Sequence, residues 1–462
     1  MTGEPLRDAL PVYPVNTPVV DVIKGLDRSG ERHAVIVGMR GEYVCQIGPS
    51  EIRRHLLTGL DQGAPVGTIA ERSPLWLWEQ DVPDREKRRS IVAELRAAGF
   101  GHCPIVDAGG HYVRVMRCDE LWGGEWEGQG ERANAVERVL VIGGAGYLGS
   151  VLLAELLEAG FAVRVLDNFI YGRGALNGFA QVPRCDVIEG DIRNIQTIVS
   201  CLADVDAVVL LAAVVGDPAS QQRPTQAIET NLLAAQAIAF ACKSQQVNRF
   251  LYASTCSVYG RSDDLLTEDS PLSPVSLYAR TKIASERSIL ALGDSAFSPT
   301  ILRMGTLYGP SPRMRFDLVV NTMTMKAFVD GRITVFGGAQ WRPLLHVRDA
   351  ARAYVACLQA PLQVVGNRVF NVGSEEQNYR VGDIARLVSE VLGGVPIERQ
   401  ESSMDARDYR VSFRQIRELL SLRPCHTVTE AARVMYDCLA AGGIRNPLAK
   451  VYYNHYFDST EE

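Results

Sequence analysis

The sequence holds little that would let it coat a polyanion or cross a bilayer. Its 48 Lys and Arg are outnumbered by 54 Asp and Glu, leaving a formal net charge of -6 and a pI of about 5.8. No basic stripe is available to neutralise the phosphates along a nucleic acid. No uninterrupted apolar run is long enough to span a membrane, and Glu4, Arg7 and Asp8 stand where a signal peptide would need its apolar stretch. These absences predict a cytoplasmic protein with neither nucleic-acid nor membrane partners. The ten cysteines are scattered, with no Cys-x-x-Cys pair and no histidine at ligand spacing, which predicts reduced thiols packed as small core residues and no metal site. What is present is ample core material: 462 residues, 47% hydrophobic and 22% charged, enough for two or three domains.

One run stands out, Val141-Ile-Gly-Gly-Ala-Gly-Tyr-Leu-Gly149, with glycines spaced Gly143-x-x-Gly146-x-x-Gly149 between an apolar strand (139–142) and an apolar helix (151–157). In that context the missing Cβ atoms let backbone approach a pyrophosphate, and the helix N-terminus offers free N–H groups and a partial positive charge. A second strand, 162–166, ends at Asp167-Asn168. A carboxylate there accepts the ribose hydroxyls and repels a 2′-phosphate, which predicts NAD rather than NADP. Strands over 187–192, 207–213 and 249–254 continue a doubly wound α/β pattern. Their ends place Asp191 and Ile192 beside the adenine and Leu211, Ala212 and Ala213 along the pyrophosphate.

Tyr278-Ala-Arg-Thr-Lys282 sets a phenol and an ammonium on one helix face. A neighbouring Lys⁺ is expected to draw the phenol toward neutrality, as a general base requires. Ser254-Thr255 closes an apolar strand upstream. Tyr278 would take a hydroxyl proton, Thr255 order the alcohol, and hydride leave for the nicotinamide.

On these motifs, with Thr230-Asn231-Leu232, Ala253-Ser-Thr-Cys-Ser-Val-Tyr-Gly260 and Leu307-Tyr-Gly-Pro310, residues 137 to 420 closely resemble the extended short-chain dehydrogenase/reductase superfamily, in its branch of NAD-dependent nucleotide-sugar epimerases and dehydratases. The resemblance implies a Rossmann domain over 137–305 and a smaller substrate lobe over 306–462, with 346–375 returning to the Rossmann domain. It implies Thr255, Tyr278 and Lys282 as catalytic, Lys282 also on the nicotinamide ribose. It also places Tyr147, Leu148, Tyr171 and Gly172 along the NAD and Asn231 near the nicotinamide.

Where the family's 4,6-dehydratases carry acids after the Thr, this chain has Cys256 and Ser257. That favours a 4-epimerase over a dehydratase or other keto-sugar-forming enzyme. After Arg303 come Met304-Gly305-Thr306 in place of an aromatic pair and an Asn, so Gly305 leaves room beside the nicotinamide and Thr306 replaces an amide near the substrate phosphates. Asn321, Arg342 and Arg407 are the expected grips on a sugar nucleotide's diphosphate, with Arg315 and Arg313 weaker candidates. Some of these arginines could instead pair with Asp317, Asp349 or Asp408. A reductase-like nucleotide sensor is the reading from another class, and the intact Thr255, Tyr278 and Lys282 weigh against it. His346, before a helix, reads as structural.

Residues 1–125 contain a repeat. His33-Ala-Val-Ile-Val-Gly-Met-Arg-Gly-Glu-Tyr-Val44 matches His102-Cys-Pro-Ile-Val-Asp-Ala-Gly-Gly-His-Tyr-Val113, an offset of 69. Each copy reads as strand, glycine turn at Gly41 or Gly110, strand, then a helix from near Glu51 or Glu120, with an amphipathic helix ahead (19–26; 90–98). This order resembles a pair of CBS domains, an α+β tandem module that binds adenine nucleotides in its clefts. That family's ribose-binding Thr or Ser is replaced by Gly48 and Arg117, and its Asp by Glu51 and Glu120. Adenine-nucleotide binding and a purely structural or dimerising role both remain open. The Gly-rich stretch over 126–136 reads as a linker, and the aromatic tail from Lys450 to Phe457 as a surface for its own lobe or a second subunit, the whole being a homodimer or higher homo-oligomer.

Overall fold

The computed structural model describes residues 10–29, 33–48, 52, 55, 61–70, 73, 75–97, 102–117, 121, 136–179, 181–294, 296–400 and 407–454. The helix starts expected at Glu51 and Glu120, the linker except Val136, and the tail beyond Asn454 lie outside them. The chain divides into two units, Met1–Ala135 and Val136–Glu462. Among the described residues no helix is long and apolar enough to cross a membrane.

The first unit is a structural duplication. Strands β1 (Val12–Pro14), β2 (Ala34–Val37) and β3 (Tyr43–Ile47) form one three-stranded sheet, and β4 (Leu77–Trp78), β5 (His102–Val106) and β6 (Tyr112–Arg117) another. In each the first pair is parallel and the second antiparallel. The register repeats at the sequence offset: Ile36 faces Cys45 as Ile105 faces Arg114, and the ladder slips after both. The copies join through their turns, where Tyr43 N–H donates to Gly110 O (3.0 Å) and Tyr112 N–H to Gly41 O (2.9 Å). Both glycines have φ in the left-handed region, 88° and 80°. Leu10, Val35, Val37, Tyr43 and Val106 form the apolar seam beside these turns.

In the second unit the strands are β7 (Arg138–Ile142), β8 (Ala162–Asp167), β9 (Cys185–Glu189), β10 (Ala207–Leu210), β11 (Arg249–Thr255), β12 (Arg261–Leu266) and β13 (Ser298–Met304). There follow β14 (Thr306–Tyr308), β15 (Ile333–Phe336), β16 (Trp341–His346), β17 (Arg368–Val372), β18 (Asn378–Arg380), β19 (Ile397–Gln400) and β20 (Asp408–Val411). Seven of them make one parallel sheet in the order β17-β13-β11-β10-β7-β8-β9. A parallel sheet buried on both faces needs continuous apolar strands. Val139–Ile142 of β7 and all of β10 are buried, and alternate residues feed two cores. Val139, Val141 and Val209 face one of these, while Leu140, Ile142 and Val208 face the other. The strand order reverses between β7 and β10, which opens a crevice at their C-terminal ends.

Two expected strands are shorter than their apolar runs suggest. After Glu189 the chain turns at Gly190, whose N–H donates to Asp167 O (2.9 Å), and after Leu210 the N–H groups of Leu211 and Ala212 both converge on Ile142 O (2.9 Å each). Both bends carry backbone around the crevice instead of onward as strand. A third core, with Phe316, Met323, Ile384 and Met435, sits under the helices Val319–Val329, Val381–Val391 and Val428–Ala440 and two small sheets, β14-β16-β18 and β15-β19, while the β12-β20 pair packs on the first core through Leu266, Tyr409 and Val411. Tyr452 and Tyr453 pack into this lobe.

Candidate active site

The crevice leads into a cavity of about 320 Å³, at the lower end of the roughly 300–1,000 Å³ of a small-molecule site. One end is built by the glycine turn. Gly143 has φ 92°, and a Cβ there would lie 2.7 Å from Ala212 N; a Cβ on Gly149 would lie 2.2 Å from Gly143 O. No side chain caps the helix Tyr147–Glu158, whose N-cap is Gly146, so its first N–H groups face the cavity for an anion. Asp167 braces the turn, accepting from Ala145 N–H (2.9 Å) and Phe169 N–H (2.8 Å). Burial raises its carboxyl above the usual range, opposed by these bonds and by Arg313. Uncapped N–H groups, bare backbone and an acidic strand end fit the diphosphate and ribose of a dinucleotide.

At the other end Ser276 caps the helix Leu277–Ala291 by accepting from Ala279 N–H (3.2 Å). That helix carries Tyr278 and Lys282 to the end of β11, where Thr255 lies. Lys282 donates to Ala253 O (2.8 Å), its ammonium 4.6 Å from the Tyr252 ring centre and 6.0 Å from that of Tyr278. Burial lifts the Tyr278 phenol above its ordinary value, with Arg315 and Arg407 opposing. Burial also pushes the Lys282 ammonium down to about 7. The expectation that a fully charged lysine draws the phenol toward neutrality is therefore not met, because the lysine pays for the same desolvation. Behind both, Arg303 and Glu286 form a buried ion pair (2.8 Å) that also binds Ser254, which donates to Glu286, and Tyr259, which accepts from Arg303 (2.9 Å).

Of the residues expected from sequence, Gly143, Gly146, Tyr147, Leu148, Gly149, Asp167, Asn168, Tyr171, Gly172, Asp191, Ile192, Leu211, Ala212, Ala213, Thr255, Tyr278, Lys282, Thr306, Arg315 and Arg407 all line this one cavity. Three are not on its wall. Asn231, in a π-helical turn (Glu229–Ala234), accepts from Val214 N–H (2.7 Å) and donates to Val214 O (2.9 Å), so it clamps a wall segment instead of meeting the ligand. Asn321 accepts from Gly309 N–H (3.0 Å) and donates to Arg315 O (2.9 Å) and the Tyr147 hydroxyl (3.1 Å). Arg342 donates to Trp341 O (2.7 Å) and Arg407 O (2.6 Å), bracing the Arg407 backbone. All three are buried, with bonds mostly to backbone.

Cys256 is also turned away. Its thiol contacts Arg303 O (3.2 Å) in the core, where burial raises its pKa, while Ser257 lines the cavity. Gly305 does line it, and a Cβ there would meet Pro343 O at 3.1 Å; the close approach of β16 is a packing reason for glycine besides room for a ligand. Arg315 pairs with Asp317 through two bonds, 3.1 and 2.8 Å.

Arg223, Tyr409 and Asn454 also line the wall and were not anticipated. Tyr409, two residues from Arg407, was within reach of the motif there. Asn454 had no sequence signal, since it arrives from the far end of the chain. Away from the cavity, ligand atoms of His346, Asp349 and His426 lie within 4.8 Å of one another. They are engaged with each other and with backbone: Asp349 receives His426 Nδ1 (2.9 Å) and the N–H groups of Cys425 and His426, and His346 Nδ1 accepts from Arg348 N–H.

Comparison with known proteins follows the same lines. A model of the NAD dependent epimerase/dehydratase family matches residues 139–373. The chain belongs to that family. Its cofactor is accordingly NAD, which the turn at Gly143 and Asp167 fits. A UDP-glucose 4-epimerase of Corynebacterium glutamicum is 29% identical over 63% of this chain and 92% of its own length. The solved UDP-glucuronic acid 4-epimerase of Bacillus cereus, in complex with UDP-glucuronic acid and NAD, superposes with a TM-score of 0.59 at 26% identity, covering 66% of this chain and 99% of that one. The dTDP-glucose 4,6-dehydratase DesIV of Streptomyces venezuelae, with NAD bound, gives 0.61 at 26%, covering 68% and all of that chain.

Proposed function

We propose that the second unit is a nucleotide-sugar 4-epimerase that works through a transient 4-keto sugar. The observation that carries this reading is where the carboxylates are. Among the described residues lining the cavity the only acids are Asp167 and Asp191, both at the adenosine end. The end holding Thr255, Ser257 and Tyr278 has hydroxyls and a lysine but no carboxylate on its wall, so it suits proton removal from an alcohol and not the loss of water. Tyr278 takes the 4-hydroxyl proton, Thr255 orders that hydroxyl, and Lys282 holds the ribose beside them. When bound, NAD would supply the group that accepts a hydride from C4 and gives it back to the other face of the keto sugar. Substrates are sugars on a nucleoside diphosphate, with Arg407 and Thr306 toward the diphosphate.

A second reading rests on Asp217. It lies just behind the wall, 3.4 Å from Arg407, with Oδ1 buried and unpartnered among the described residues, and its charge raises the Tyr278 pKa. Were it to reach the sugar it would supply the acid of an eliminating, keto-sugar-forming enzyme.

For the first unit the proposal is a CBS-type pair that binds an adenine nucleotide and regulates the second; its support is the duplicated register and the paired turns at Gly41 and Gly110. Leu233 and Phe240, more than half exposed, offer apolar surface for a second copy of the chain in the cytoplasm.

Proton NMR of the protein incubated with UDP-, dTDP-, GDP- and CDP-hexoses, no cofactor added, tests the chemistry. A C4 epimer supports the proposal; an accumulating keto sugar shifts it to the eliminating reading. Tyr278→Phe should abolish turnover while keeping bound NAD, and full activity in that variant removes the mechanism.

A further inference from the structure

Two guanidinium groups in the cavity have no ion-pair partner among the described residues. Arg315 is neutralised by Asp317, and Arg407 stands 3.4 Å from Asp217. Arg223 and Arg313 make no ion pair with a carboxylate among the described residues, and both bind one neutral side chain and its backbone. Arg313 Nη2 donates to Asn454 Oδ1 (2.7 Å) and Arg223 Nη2 to Asn454 O (3.2 Å). Arg313 is 5% exposed, stacks 3.7 Å over the Tyr171 ring, and has its Nε buried with no partner among the described residues. Burial and the charge of Arg315 push its pKa down to about 10. A cation buried as deeply as Arg313 costs free energy unless an anion arrives.

Their position selects which anion. Arg313 lies over the Tyr171 ring and acts electrostatically on Asp167, at the adenosine end. Both Arg313 and Arg315 act on Tyr147, in the glycine turn, and on Tyr171, and Arg315 alone of the two acts on Tyr278, at the reacting end. Arg223 also acts on Tyr171. The cations therefore lie along the middle of the dinucleotide path, where a diphosphate belongs. Asn454 comes from the segment after the helix Val428–Ala440, and that segment is fastened to the Arg313 loop by Phe316 N–H on Tyr452 O (3.0 Å) and by the edge-on rings of Phe316 and Tyr452.

We propose that Arg313 and Arg223 grip the NAD diphosphate opposite the glycine turn, and that Asn454 ties both to the segment 449–454, which thereby straps the cofactor into the site. The assignment rests on the cofactor reading of the cavity but not on the epimerase reaction. The strap would keep one NAD in place through successive turnovers.

The test is cofactor exchange in the full chain. Protein purified with bound NAD is mixed with excess deuterated NAD, desalted at intervals, and the retained cofactor weighed by mass spectrometry. Loss of one charge-assisted contact predicts exchange about 10- to 100-fold faster in Arg313→Leu, an intermediate rate in Arg313→Lys, and about 3- to 10-fold faster exchange in Asn454→Ala. If Arg313→Leu does not fold, Arg223→Ala and Asn454→Ala carry the same expectation. Folded variants that exchange NAD at the parent rate overturn the strap. Parent-like exchange combined with tenfold weaker UDP binding also overturns it, by moving the pair to the substrate diphosphate. A parent that binds no NAD overturns the cofactor reading itself, whereas fast exchange in the variants of a parent without epimerase activity leaves the strap standing.

Discussion

Lys282 should write its burial into the pH dependence of stability. Its ammonium is 2% exposed and its pKa falls from 10.5 to about 7 on folding, the cause being desolvation, with Glu286 opposing. Well below pH 7, under about pH 6, the lysine is protonated in both states and contributes no slope. Between 7 and 10.5 the unfolded chain binds the extra proton, so stability rises with pH, by up to about 1.4 kcal/mol per unit. Integrated from pH 7 to pH 9, with half the folded lysines already neutral at the start, the gain is about 2 kcal/mol. Buried cysteines that titrate above 9 in the unfolded chain have the opposite sign, and comparison with Lys282→Met cancels them. Urea unfolding of NAD-free parent and variant at pH 7, 8 and 9 should show the parent gaining those roughly 2 kcal/mol relative to the variant. Parallel stability curves over that range would refute the argument, because they would mean that the folded lysine keeps its charge.

Glu286→Ala leaves Arg303 buried without its counter-ion and also strips the partner of Ser254, so unfolding free energy should fall by about 3–5 kcal/mol; urea titration measures it, and a loss under about 1 kcal/mol would show that the pair is not desolvated. For the front unit, AMP, ADP or ATP should raise the melting temperature or change the turnover of the full chain but leave a chain beginning near residue 132 unaffected. Equal responses in both would leave the duplicated unit as an assembly element.

The parts of the site legible in the sequence are those whose function constrains neighbouring backbone. Gly143 and Gly149 are readable because a Cβ at either position collides with main chain, and Tyr278 with Lys282 because helical spacing alone brings them to one face. The repeat at an offset of 69 was legible for a similar reason: paired turns at Gly41 and Gly110 need the same left-handed residue twice. Side chains whose direction is decided by tertiary hydrogen bonds were not legible. Asn231 and Asn321 carry the right chemistry for a ligand, yet Val214, Gly309 and Arg315 claim their amides. The lysine–tyrosine electrostatics failed likewise, since spacing reveals proximity and says nothing about how deeply both groups are buried.

The two ends of the cavity handle charge in opposite ways, and this explains why so many arginines surround a reacting centre that has none on its tyrosine. At the reacting end, burial holds the proton on Tyr278 and leaves Lys282 only about half protonated near pH 7, so neither carries full charge and their acidity depends on what is bound beside them. Along the middle, Arg313 and Arg223 keep positive charge in place with a neutral Asn454 between them. Arg315 links the two regions: its ion pair with Asp317 fixes it, and its field is the largest of those lowering the Tyr278 pKa. A diphosphate bound beside these cations would weaken that field at the phenol. A positive charge bound beside Tyr278 would add to it, so the phenol's acidity is set by the balance of charges that the site takes up.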